Sequence, residues 1–394
     1  YLVLNQNKNN QFSYYSNLDE QKEVFEIRKA GLNILMSMKG DKKPVAFIED
    51  CAVSLDHLAD YTARLNEIFK KYNTSGMFYA HASVGTLHVR PVLNMKSDQD
   101  IKNMRSISEE AFEMVKDYKG SHSGEHGDGI VRSEFHEMMF GKNITNAFEE
   151  IKDTFDNKNL LNPGKIVRPF KSNDRSLMRY KSDYQTENIS THYDWSNWGQ
   201  FSDAIEMCNN NGACRKLDSG VMCPSYRVTK EEKDLVRGRA NTLRLALSNQ
   251  LPEGSFASKE MYETMELCVS CKACQRECPM SVDMAKMKSE FLSHYYKKFS
   301  MRIKDKIISD MPRLIWLYKI VNPIINKIKN FPLISNIIEK FGFATKRSLP
   351  IVQNQKVLKD IYNSQEISEN KVILFADTFN INFENENYTH IKVG

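Results

Sequence analysis

Cys268-Val-Ser-Cys271-Lys-Ala-Cys274-Gln-Arg-Glu-Cys278-Pro279 sets four thiols in a C-x2-C-x2-C-x3-C-P run. Three thiolates at a spacing of three reach three corners of one iron–sulfur cubane. The fourth, one residue further off and followed by proline, reaches a second cluster. Upstream, Cys208-Asn-Asn-Asn-Gly-Ala-Cys214 and Cys223-Pro224 repeat the pattern less regularly. Asn211 stands where a middle cysteine would be, and eight residues rather than three precede the Cys-Pro step. By the crossed pattern, one cluster takes Cys268, Cys271, Cys274 and Cys223. The other takes Cys208, Cys214 and Cys278, with one corner open to water, to another side chain, or left as a three-iron cluster. The competing chemistry for the second run is zinc, which also takes four thiolates. Zinc ribbons, however, use two separated Cys-x2-Cys pairs rather than three thiols in a tight row. Cys208 and Cys214 also suit plain buried thiols, and Cys51 reads as a core residue.

A second constellation precedes the cysteines. His81-Ala-Ser-Val-Gly-Thr-Leu-His88-Val-Arg90 reads as two strands joined by a tight loop at Gly85. Residues two apart on a strand share a face, so His88 and Arg90 point the same way. Then comes Gly120-Ser-His-Ser-Gly-Glu125-His126-Gly-Asp128-Gly129, whose glycine density implies close backbone packing or approach to a ligand. Two imidazoles and a carboxylate make a set for a divalent metal with open positions. Such an ion polarises a hydroxyl and carboxylate of a substrate, and His126 beside it suits a general base. The plainer reading is that these histidines are satisfied core or surface groups and that Glu125 and Asp128 cap a turn.

The elements that must position these groups are mixed. Residues 1–170 alternate β-rich runs (Val45–Ile48, Met77–His81, Leu87–Leu93) with amphipathic helices. Ile101, Met104, Ile107, Ala111 and Val115 mark one helical face; Phe148, Ile151 and Phe155 mark another. Asn162-Pro-Gly-Lys165 is a turn. Residues 171–198 are polar and read as a linker, and 199–296 hold the cluster cysteines. There Thr229-x-x-Glu232 predicts a capping box opening a helix with Leu235, Leu243 and Leu247 on its apolar stripe. Residues 297–370 read as a basic helical linker. Between 297 and 347, twelve Lys or Arg stand against three Asp or Glu, and Pro312, Pro323 and Pro332 are expected to cut it into short helices. Two readings stay open: a solvated linker, or an amphipathic patch resting on an anionic membrane surface. Residues 371–394 look like the start of a truncated α/β electron-transfer domain, with Lys371–Phe379 as its first strand and loop.

At 394 residues the chain is long enough for two or three domains. An apolar content of 41% supports packed cores, and a mean hydropathy of −0.53 argues for a soluble protein. The net charge of +5 does not imply nucleic acid. Cysteines clustered at ligand spacing suit a reducing cytoplasm. No run of eighteen apolar residues predicts a transmembrane helix. No signal peptide is read, and a chain opening on Tyr1 is expected to be a segment of something longer.

Taken in order, the two motifs resemble the FAD-linked oxidase C-terminal domain followed by a ferredoxin-like module, as in FAD- and iron–sulfur-containing D-2-hydroxyacid dehydrogenases. The resemblance runs through Arg28-Lys-Ala-Gly-Leu32, Met36–Pro44, Ile48-Glu-Asp50, His81–Arg90, Gly124–Gly129, Asn162–Lys165, Cys208–Lys216, Met222–Tyr226 and Arg237–Asn241. It implies an α+β fold: an antiparallel sheet with helices as substrate cap, then an all-helical two-cluster domain. It also implies a divalent metal (Zn or Mn) on His81, His88 and Glu125, and His126 as base. Arg90 and Arg28 are then candidates for substrate carboxylates, with Lys39 and Arg132 weaker ones, and Asn162 joins the cofactor contacts. Arg90 stands where relatives without clusters often carry Asn, yet a guanidinium still suits a carboxylate. Val84 replaces an Asp often found in relatives. The family's FAD-binding domain is not seen in the sequence. The implied reaction is oxidation of a D-2-hydroxyacid, D-2-hydroxyglutarate first, with electrons passing through 4Fe-4S clusters to a quinone or redox protein, in the cytoplasm or peripheral to the inner membrane. The alternatives are a D-lactate or glycolate dehydrogenase, or a non-catalytic electron-transfer subunit.

Overall fold

The computed structural model describes residues 15–353 and 377–384. The described residues up to Tyr295 form one compact unit and those from Tyr296 another. In the first unit the elements are α1 (Leu18–Met36), β1 (Lys42–Pro44), β2 (Cys51–Ala52), α2 (Leu58–Lys71), β3 (Gly76–His81), β4 (Thr86–Asn94) and α3 (Asp98–Asp117). The short α4 (Gly129–Arg132) and α5 (His136–Phe140) lead to α6 (Lys142–Phe155). The fold is α+β, as the resemblance implies. β4 is the spine of an antiparallel sheet: β3 runs along it from Pro91 to Thr86, β2 pairs its start and β1 its end.

The reason lies in the burial pattern. Leu87, Val89 and Leu93 on β4 alternate inward against α2 and α3, whose Tyr61, Leu65, Phe69, Ile107, Ala111 and Phe112 are fully buried. The stripe predicted for α3 (Ile101, Met104, Ile107, Ala111, Val115) is buried throughout, and Ser97 caps the helix by accepting from the Asp100 N–H. On α6 the outcome differs: Ile151 and Phe155 are exposed, and none of its residues is buried. The strand expected at Val45–Ile48 falls instead at Lys42–Pro44. Val45 still donates its N–H to Pro91 O, but Phe47 and Ile48 then leave the sheet for the core ahead of a left-handed Asp50.

Segment 171–198 has little regular structure, yet it is pinned rather than loose. Arg175 pairs with Asp98, Tyr184 bonds to Glu206, and Trp195 is buried with its indole N–H donated to Glu290. A second, all-helical core follows, built from α7 (Phe201–Glu206), α8 (Pro224–Thr229), α9 (Val236–Leu247), α10 (Lys259–Glu266), α11 (Ala273–Glu277) and α12 (Met284–Lys298). The capping box expected at Thr229 does not open α9. Thr229 ends α8, and α9 begins at Val236 with Leu235, Leu243 and Leu247 buried. A turn at Glu232–Asp234 folds back across that start; a Cβ on Gly238 would sit 2.0 Å from Glu232 O, so only glycine admits the approach.

The second unit holds α13 (Ile303–Asp310), α14 (Ile315–Ile328), α15 (Pro332–Lys340) and α16 (Thr378–Phe383). Pro332 opens a helix as expected, but Pro323 lies inside α14. Asn322 and Asn326, on either side of it, bond to Pro350 O and Leu349 and hold that region in place. Residues 371–376 of the expected final strand lie outside the described residues, and Thr378–Phe379 open α16 instead. Among the described residues no helix is long and apolar enough to cross a membrane.

Candidate active site and cluster ligands

In the β3–β4 hairpin Tyr79 pairs with His88 and His81 with Thr86. The turn closes on Gly85 at φ 72°, where a Cβ would meet Val53 O at 1.9 Å. His81 and His88 are therefore diagonal neighbours on one face, with ring centroids 5.0 Å apart. The Gly124–Gly129 loop closes over them. Glu125 Oε1 lies 3.0 Å from His88 Nε2 and 3.4 Å from His81 Nε2. His126 Nε2 stands 3.4 Å from the same oxygen, its ring stacked on His88 at 5.1 Å. Burial lowers the His88 pKa below the ordinary histidine value, so its ring is neutral near pH 7. Its Nδ1 is buried without a hydrogen bond, 3.7 Å from Glu49. Imidazoles meeting a carboxylate oxygen form a donor set chemically able to hold a divalent cation.

Two acidic residues that the sequence reading did not assign a role hold this arrangement from beneath. The Glu49 carboxylate accepts from Arg90 Nε and Nη2, at 3.2 and 2.9 Å, and from the Tyr79 hydroxyl at 2.8 Å. Asp50 is fully buried and accepts the backbone N–H groups of Glu125 and His126 at 2.7 and 2.8 Å. Burial works to raise the Asp50 pKa, but those N–H donors and the Arg132 guanidinium outweigh it and hold it below the ordinary carboxylate range. The available signal was a charged pair set between core residues: Phe47 and Ile48 before it, Cys51 after it, all buried.

Arg132 is a correction. It is buried, paired with Asp50, and donates to Glu49 O and Gly127 O, so it locks the loop and does not face a substrate. Arg90 faces the site but is already engaged by Glu49. Arg28 lies on the exposed side of α1, and Lys39 sits over the Trp198 ring at 5.4 Å. Asn162 is exposed at φ 48°, its side chain within 3.4 Å of Lys165 Nζ.

Asp50→Asn removes the buried partner of Arg132 and should cost about 3–5 kcal/mol. The pH dependence has a definite sign. A carboxyl whose folded pKa is depressed adds stability that is present above its unfolded value, about 3.9, and is lost as pH falls through the folded value. Denaturant midpoints taken from pH 7 down to 3 should fall more steeply for the native chain than for Asp50→Asn. Parallel curves would dismiss the Asp50 anchor.

The cysteines divide across the sequence. Cys223, Cys268, Cys271 and Cys274 line one recess, with Pro224, Val236 and Met284. Cys208 and Cys214 lie within electrostatic reach of each other and of Cys278, and Cys214 also of Cys223. Burial pushes the Cys223 thiol up to about 12 and the Cys274 thiol up to about 11. Cluster iron, a strong cationic centre, favours the thiolate form that burial disfavours. Left-handed Ser270 and Lys272 turn the backbone of the Cys268–Cys274 loop as anion-binding nests do. The residues fit the cluster ligation implied by the sequence.

Residues 3–166 match the family described as FAD linked oxidases, C-terminal domain, and residues 204–282 match the 4Fe-4S dicluster domain. The chain carries these two domains in tandem. A D-2-hydroxyglutarate dehydrogenase of Pantoea ananatis is 30% identical over 332 residues, 74% of this chain and 32% of the relative. One from Escherichia coli is 29% identical over 378 residues, 85% of this chain and 36% of the relative. The glycolate oxidase subunit GlcD of Bacillus subtilis is 29% identical over 148 residues, 38% of this chain and 31% of the relative. The chain thus spans about a third of the length of the curated relatives it matches. The oxidase domain contains the histidine site, and the dicluster domain contains the seven clustered cysteines.

Proposed function

We propose that the chain supplies the substrate cap and electron relay of a flavin-dependent dehydrogenase that oxidises a D-2-hydroxyacid, with D-2-hydroxyglutarate preferred. The observation that supports this most is the convergence of His81, His88 and His126 on one Glu125 oxygen. In this reading His81, His88 and Glu125 hold a divalent ion, Zn or Mn, which supplies polarisation of the substrate hydroxyl and carboxylate. His126 takes the hydroxyl proton at Nε2, while Asp50, 3.8 Å from its Nδ1, orients the ring. Bound FAD would supply a two-electron acceptor for the C2 hydride, and clusters held by Cys208, Cys214, Cys223, Cys268, Cys271, Cys274 and Cys278 would supply one-electron transfer toward a quinone or redox protein. Arg90, steadied by Glu49, binds one substrate carboxylate; Arg28 approaches the other, with Lys39 a further cation, and Asn162 contacts the cofactor.

The test is kcat/KM of the assembled flavoenzyme on D-2-hydroxyglutarate, D-lactate and glycolate with an artificial electron acceptor. The native enzyme should favour the dicarboxylate. Arg90→Ala or Arg28→Ala should each remove about 1.5–3 kcal/mol of that preference, the scale of a charged hydrogen bond. Equal kcat/KM on the three acids would sink the substrate assignment. One observation favours the second reading, a D-lactate or glycolate dehydrogenase: Glu49 already occupies Arg90, which suits a substrate with a single carboxylate.

The same reading rests the basic helices on an anionic membrane surface. Trp316, Ile320 and Ile324 on α14 and Leu333 on α15 are exposed among the lysines. Co-sedimentation with phosphatidylserine vesicles, weakened by salt, is the expected result. Recovery in the supernatant at low salt would remove that contact.

A further inference from the structure

A second group of chemically capable side chains lies under the same loop and takes no part in the scheme above. His122, Asp128 and His136 are brought together from the loop and α5. His122 is 1% exposed and His136 3%. Asp128 Oδ1 is 3.3 Å from His122 Nε2, and Asp128 Oδ2 is 3.0 Å from His136 Nε2. The two rings stand at 89° with centroids 5.6 Å apart, so their edges converge from different directions.

The hydrogen-bond accounting around this group does not close. His136 Nδ1 lies 3.2 Å from Ile166 O, which can only accept, so Nδ1 carries the hydrogen. A bare lone pair on Nε2 facing the carboxylate at 3.0 Å would be repelled, so a cation, either a proton on Nε2 or a metal ion, belongs between them. Neither nitrogen of His122 has a hydrogen-bond partner, and Asp128 Oδ1 and His136 Nε2 are also buried without one. Each such orphan costs about 1–3 kcal/mol. The surroundings offer no relief: Phe112 and Phe140 pack on His122, and Phe140 and Phe148 on His136. Arg132, the nearby cation, is committed to Asp50.

We infer that His122, Asp128 and His136 form a second, structural divalent-metal site, of a kind suited to zinc. A tetrahedral ion with bonds of about 2.0–2.1 Å needs ligand atoms roughly 3.3 Å apart; the two imidazole–carboxylate separations are 3.3 and 3.0 Å, and one ligand atom from each of the three residues lies within 4.8 Å of the others. Two imidazole nitrogens with a carboxylate oxygen suit zinc rather than magnesium or calcium, which prefer all-oxygen ligands. The Ile166 carbonyl orients one ligand as outer-sphere partners of metal-bound histidines do. Glu125 and Asp128 stand three residues apart on one loop and reach different histidine groups, so an ion here fixes the backbone that presents Glu125 and His126. The inference does not depend on the first histidine set binding metal.

The test counts zinc in the purified chain after anaerobic cluster reconstitution, which keeps the thiols occupied by iron. The protein is washed with chelator, dialysed against zinc and then against buffer. His81→Gln/Glu125→Gln should retain one zinc per chain; His122→Gln or His136→Gln on that background should reduce it to none. Absence of zinc from His81→Gln/Glu125→Gln, where the second site is untouched, overturns the inference. So does unchanged zinc content after His122→Gln and His136→Gln, because the single ion would then lie elsewhere.

Discussion

His126→Ala should lower kcat of the assembled flavoenzyme by about 10²–10⁴-fold, the range for loss of a positioned general base. The loop is held by the backbone N–H groups of Glu125 and His126 on Asp50, and both survive the substitution. His81, His88 and Glu125 keep their mutual spacing, because the hairpin register and not His126 sets it. The variant should therefore keep its divalent-metal content and its substrate KM while losing turnover. That split separates a proton-transfer role from a structural one: a damaged fold would lose metal and activity together. Native turnover in His126→Ala would remove the base assignment, and with it the role of Asp50 in orienting that ring.

Cys223→Ala should remove one entire cluster, although Cys223 is 45 positions from Cys268 in the sequence. The two thiols line the same recess, and Cys278 lies instead with Cys208 and Cys214. Crossed ligation makes a specific non-additivity prediction. Cys223→Ala and Cys271→Ala act on the same cluster, so the double variant should hold as much iron as either single one. Cys278→Ala acts on the other cluster, so Cys271→Ala/Cys278→Ala should lose nearly all iron and all low-temperature paramagnetic signal on reduction. If Cys278→Ala and Cys271→Ala instead fail to add, ligation is local and the crossed arrangement is wrong.

Which chemistry this protein carries was legible in its sequence wherever the donors are close along the chain. The Cys268–Cys278 run and the His81–Arg90 hairpin depend on backbone geometry over fewer than a dozen residues, and spacing alone encodes that. The burial stripe of α3 was legible for the same reason, a single period repeated over 20 residues. Tertiary structure decided the rest. Asp50 meets Arg132 across 82 positions and thereby takes that arginine away from any substrate. Glu49 reaches Arg90 across 41 positions, and no local pattern encodes either closure. The helix start moved from Thr229 to Val236 because a folded-back turn presses on Gly238. The pairing of His122, Asp128 and His136 likewise exists only once the loop and α5 are folded together. Spacing sets which atoms a short segment presents; packing against distant chain sets which of them are desolvated, neutralised or left without a partner, and so what each one does.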